Sequence, residues 1–129
     1  MNIEEKTLKL WAQKLNCAEC VFKLLSEIKG TELSPQLLKS AKIMGSGYKS
    51  GCICGAVNAA MVFCAIHMPK PNTELTQRIY SNFREKYGSS CCRVLRAGDE
   101  KQGIPKDKAC PERVVYAIET ALNELEKIE

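Results

Sequence analysis

Apolar positions along this chain recur at steps of three and four residues, the period of one helix face. From about Ile3 to Ile28, ahead of Gly30, the series Leu8, Trp11, Leu15, Ala18, Phe22 and Leu25 marks such a face. Leu10, Cys17, Val21, Leu24 and Ile28 widen it. Ser34 and Pro35 read as an N-cap and a first-turn proline, opening a helix from Pro35 to about Met44 that stops at Gly45. Residues 45–51 are a glycine-rich loop. A third helix, about Cys52 to Met68, is apolar nearly all round, so other helices are expected to surround it. Ala56, Ala59 and Ala60 let those neighbours approach, and Pro69 and Pro71 end the helix. Thr73 can cap a fourth helix, about Glu74 to Tyr87, with Leu75, Ile79 and Phe83 inward and Gly88 as its stop. A short helix follows across 89–95, then a polar loop from Gly98 to Lys108. Pro111 opens the last helix, with Val114, Ile118, Leu122, Leu125 and Ile128 on one face. Strand alternation, hairpin dipeptides and internal repeats are absent. The pattern predicts an all-α, compact single-domain bundle of about five helices around a central apolar helix, spanning residues 1–129.

Composition narrows the function. With 129 residues and 45% hydrophobic content, the chain can hold one core without covalent staples. A net charge of +4 with 26% charged residues excludes a disordered polyelectrolyte and is too diffuse for a nucleic-acid footprint. The longest apolar-rich stretch, Cys52 to Met68, contains Asn58 and His67 and falls short of the roughly 20 apolar residues a membrane span needs. Glu4 and Glu5 and the lack of a continuous apolar run argue against a secretory leader. A cytoplasmic location is expected, where permanent disulfides are rare and thiols serve as metal ligands or reactive groups.

Eight cysteines stand out: Cys17, Cys20, Cys52, Cys54, Cys64, Cys91, Cys92 and Cys110. Cys52/Cys54, Cys91/Cys92 and Cys110 each fall at an expected helix start. There free backbone N–H groups and the helix dipole favour negative charge, lower a thiol pKa, and can donate to the sulfurs of an anionic iron–sulfur cluster. At roughly 100° per residue, Cys17 lies within the apolar arc of the first helix, and Cys20 is placed towards its polar side. Cys64, mid-helix in an apolar run, reads as a small hydrophobe. Cys17-x-x-Cys20 lacks the βαβ context of a thioredoxin-type dithiol. The single histidine, His67, reads as a cap at a helix end, which disfavours Cys₂His₂ zinc and a Cys–His nucleophile pair. Lys39, Lys42 and Lys49 flank the glycine loop, but no strand precedes it and its spacing is not that of a P-loop.

Asn16-Cys17-Ala18, Gly51-Cys52-Ile53-Cys54-Gly55-Ala56, Ser90-Cys91-Cys92-Arg93-Val94-Leu95 and Cys110-Pro111 together resemble the C_GCAxxG_C_C family of small redox-active proteins. The resemblance covers nearly the whole chain and places the four signature cysteines on Cys17, Cys54, Cys92 and Cys110. The glycine that closes the family's C-G-A-x-x-G element is Ala59 in this chain. A related domain accompanies haem modules in split-Soret cytochromes, where the cysteines are associated with an iron–sulfur centre. The resemblance therefore implies an iron–sulfur cluster, its nuclearity left open, held by Cys17, Cys54, Cys92 and Cys110. Gly55 and Ala56 N–H groups would tune it, and Lys49 and Arg93 would offset its charge. Its work would be electron transfer or redox sensing with a partner redox protein, and a homodimer sharing the site is compatible with the sequence. The competing readings are a metal-free thiol–disulfide relay, in which the extra cysteines act as resolving partners, and a structural Cys₄ zinc module.

Overall fold

The computed structural model describes all residues from Met1 to Glu129 and contains seven helices and no strand. They are α1 (Ile3–Ala12), α2 (Cys17–Lys29), α3 (Pro35–Ala41), α4 (Gly55–His67), α5 (Thr73–Tyr87), α6 (Cys92–Lys101) and α7 (Lys106–Glu126). The chain is thus an all-α bundle. The expected long first helix is two helices, broken at 13–16, where Lys14 takes a positive φ of 71°. Asn16 restarts the chain with a capping box: its side chain accepts from the Glu19 N–H at 2.8 Å, and its own N–H donates to Glu19 Oε1 at 3.0 Å. With the break, α1 turns Thr7 inward and leaves Leu8 exposed, contrary to the single-helix face.

α2, α4 and α7 pack on one another, and α5 closes against α4 and α7. The core cluster of 25 buried residues is anchored by Phe22 on α2, Phe63 on α4 and Phe83 on α5, all essentially without solvent contact. Burying each such side chain stabilises the fold by roughly 1.5–3 kcal/mol. Ala56, Ala59 and Ala60 of α4 are fully buried, as close helix packing requires. Ala59 lies inside a regular helix, so a small side chain is tolerated where the family carries glycine. Leu75, Ile79 and Phe83 face inward as expected, although Asn72, not Thr73, caps α5. Ile28 and Ile128, near helix ends, are exposed.

Two further boundaries move. α6 runs through Gly98 to Lys101 instead of ending near residue 95, because buried Asp99 is held by Arg96 and Arg113 at 2.6 Å each. α7 begins after Pro105 rather than at Pro111, so Pro111 lies inside the helix. No helix is long and apolar enough to cross a membrane.

Candidate functional site

Cys17, Cys54, Cys92 and Cys110 line one cavity of about 50 Å³, together with Trp11, Asn16, Ser46, Lys106 and Arg113. The four thiols come from four different helices or their starts. Cys17 is the first residue of α2, Cys54 the N-cap of α4, and Cys92 the first residue of α6. Cys110 is not at a helix start as expected; it stands one turn inside α7 because that helix begins five residues earlier than Pro111 suggests.

Each thiol is positioned by local structure. Asn16 Nδ2 donates to the Ala41 and Lys42 carbonyls at 3.0 and 3.2 Å, which fastens the start of α2 to the end of α3. The Cys54 N–H donates to the Ser90 carbonyl at 2.7 Å, which joins the α4 start to the segment leading into α6. Gly55 is a cradle: a Cβ there would lie 2.6 Å from Cys17 Sγ and 3.0 Å from the Met44 carbonyl oxygen. Only a residue without a side chain lets Cys17 approach the start of α4 this closely. Trp11 Nε1 donates to Asp107 Oδ1 at 3.0 Å and seats α1 against the first turn of α7.

The electrostatics depart from the expectation for helix starts, which was a lowered pKa. Burial pushes the Cys17 thiol up to about 12, and the neighbouring Cys54, Cys110 and Cys92 add to the effect. Burial also raises Cys54, to about 11, although the Ala56 and Val57 N–H groups pull the other way. Cys110 is raised by burial, while Arg113, Arg96 and Lys106 oppose the rise. Desolvation therefore outweighs the helix ends, and these thiols keep their protons at neutral pH unless a cation takes the protons' place. Lys49 and Arg93, expected beside the centre, are exposed and do not line the cavity. The cations there are Lys106 and Arg113. Arg113 stands three residues after Cys110, hence on the same helix face, and that spacing was the available signal for it. Its side chain is 9% exposed, and its Nε has no hydrogen-bond partner.

The remaining cysteines separate from this group. Cys20, placed by angle towards a polar face, is fully buried, because α2 is packed by α1, α3, α4 and α7 and buries a wide arc. Cys64 is core, as expected. Cys52 and Cys91 form a disulfide, where reduced thiols were expected from composition and compartment. His67 shares hydrogen bonds with Thr31 and Glu129, away from the cavity.

A helical bundle that brings four of its six free thiols to one small cavity, beside a buried guanidinium paired with Asp99 through one nitrogen, has the donor set of a cysteine-based redox protein. The family model described as "Putative redox-active protein (C_GCAxxG_C_C)" matches residues 15–124, and the chain belongs to that family. No curated protein and no solved structure matches it.

Proposed function

We propose that Cys17, Cys54, Cys92 and Cys110 form a redox centre that holds an iron–sulfur cluster and exchanges electrons with a partner redox protein, as a carrier or sensor. The observation that carries this reading is the convergence of these four thiols on one cavity. One feature supports an anionic occupant: Arg113, which lines the cavity, keeps a buried Nε without an acceptor, and cluster or thiolate sulfur would supply one. Gly55 lets Cys17 Sγ approach the start of α4. A bound cluster supplies one-electron chemistry tuned by hydrogen bonds and burial. The chain's own part is to exclude water, to present N–H groups of Ala56 and Val57 to Cys54, and to place Arg113 and Lys106 where negative charge gathers. No three Cys, His, Asp or Glu side chains are drawn to one point, so the cluster reading rests on the shared cavity and the four thiols that line it. Burial raises Cys17 and Cys54, which slows thiol exchange at those two positions, since the thiolate is the exchanging species.

The test is anaerobic purification and reconstitution, followed by visible spectroscopy and assay of iron, acid-labile sulfide and zinc. Broad brown absorbance with matching iron and sulfide is expected. Serine at any one of Cys17, Cys54, Cys92 or Cys110 is expected to abolish it, and Cys64→Ser to keep it. A protein that stays colourless after reconstitution refutes the cluster.

A further inference from the structure

The Cys52–Cys91 disulfide lies outside the four-thiol cavity and has no part in the reading above. We propose that it is a second redox site, open to thiol–disulfide exchange with a protein dithiol, and that its reduction releases the loop segment between Tyr48 and Cys54.

Three observations carry this. First, the bond faces solution: Cys52 is exposed and Cys91 half-buried, whereas the unpaired Cys20 and Cys64 are sealed in the core. Exposed disulfides are the labile and regulatory ones. Second, the bond is not the only tie between its two segments. It joins residues 39 apart, yet those two segments are also tied by the Cys54 N–H to Ser90 carbonyl bond at 2.7 Å. Third, what it does hold is an unfavourable loop. Ser46, Tyr48 and Lys49 carry side chains at φ values of 55°, 60° and 58°, in the left-handed region that favours glycine. Gly51, at φ 91°, packs so tightly on α6 that a Cβ would lie 2.9 Å from Arg93 Cβ. Tyr48 is anchored at one end, where its hydroxyl accepts from Asn58 Nδ2 at 3.0 Å, and Cys54 at the other. Between these points the disulfide is the covalent hold. Ser46, at the base of the loop and ahead of the segment the bond holds, lines the four-cysteine cavity.

A thiolate of the dithiol attacks Cys52 Sγ, the more open sulfur. The Cys52–Cys91 bond breaks and Cys91 leaves as a thiolate that takes up a proton. The second thiol of the reductant gives up its proton and attacks the mixed disulfide, which closes the reductant's own disulfide and frees Cys52 as a thiol. Two electrons and two protons pass from the dithiol to the pair.

The test uses the full chain, oxidised, with dithiothreitol as the dithiol and no denaturant. Iodoacetamide labelling read by mass spectrometry is expected to show Cys52 and Cys91 gaining label together. Tryptic cleavage after exposed Lys49 is expected to quicken by roughly ten-fold on reduction, as for a locally freed loop. A bond reduced only in denaturant overturns the exchange, and an unchanged cleavage rate overturns the release. In Cys91→Ser, Cys52 is expected to capture 5,5′-dithiobis(2-nitrobenzoate) rapidly; failure to do so overturns its role as the attacked sulfur. Cys17→Ser separates the two sites: it is expected to lose bound iron and to keep the Cys52–Cys91 exchange. Iron loading with an inert disulfide defeats this inference alone, and exchange without iron loading defeats the cluster alone.

Discussion

The two ends of α7 bury charge in opposite ways. Near its C-terminal end, Glu124 is 1% exposed and fully engaged, with Arg78 Nε donating to one oxygen at 2.7 Å and Lys127 Nζ to the other at 2.9 Å. In its first half, Arg113 is 7% exposed, lines the thiol cavity, pairs with Asp99 through one nitrogen, lies over the Tyr87 ring, and leaves Nε unpaired. A buried polar atom without a partner costs about 1–3 kcal/mol, so natural proteins seldom keep one idly. The end at Glu124 is complete as a protein structure. The end at Arg113 keeps one donor free, which an anionic occupant of the proposed centre would engage, and that contrast sets the two ends of a single helix apart.

Four changes would break or sharpen the contrast. The largest effect is expected from Asp99→Ala, which strands Arg113 and Arg96 and costs about 3–5 kcal/mol in chemical denaturation of the unloaded protein. If loading the centre supplies an anion, part of that loss is recovered in the loaded protein, and equal losses in both forms would break the comparison. Gly55→Ala follows, at about 1–3 kcal/mol from overpacking. Because its Cβ would press on Cys17 Sγ, iron content is expected to fall along with stability.

Glu124→Gln is expected to cost less, about 1–2 kcal/mol, since its partners Arg78 and Lys127 are themselves substantially exposed and rehydrate. Burial acts to raise the Glu124 pKa, but the bonds from Lys127 and Arg78 outweigh it and hold the carboxyl below its ordinary 4.5. Its contribution is therefore present above pH 4.5 and lost as pH falls through the lower folded value. A melting profile against pH should show a shallower acid limb in the variant. The smallest effect is alkaline. Burial pushes Cys20 and Cys64 from 9.0 up to about 12, so the unfolded chain sheds these protons first and stability declines between those values. Replacing both by alanine should flatten that decline without touching iron content.

Much of the fold was legible because helical periodicity is local. The α5 face and the central α4 needed nothing beyond spacing. The break before α2 was missed although Asn16-x-x-Glu19 is a capping signature, because no proline or glycine interrupts residues 13–16 and the apolar series of two helices ran on in register. The sequence places the start of α7 at Pro111, whereas the helix begins after Pro105, and a proline marks a helix start equally well at either place. Gly98-Asp99 looked like a loop because the partner that holds Asp99, Arg113, is distant in sequence. The same limit applies to the site. Spacing could suggest that cysteines at helix starts matter, but the choice among eight came from the family pattern. The Cys52–Cys91 pairing was beyond reach, since eight cysteines allow 105 full connectivities.

Trp11 has a consequence of its own. It is the chain's one tryptophan, it lines the thiol cavity, and it sits in α1, ahead of the matched residues 15–124. Its indole emission therefore reports from one end of the bundle and is blind to the other. A coloured occupant of the cavity would drain that emission by energy transfer, while events around Glu124 would leave it unchanged. The molecule thus carries its own optical gauge at the four-thiol cavity.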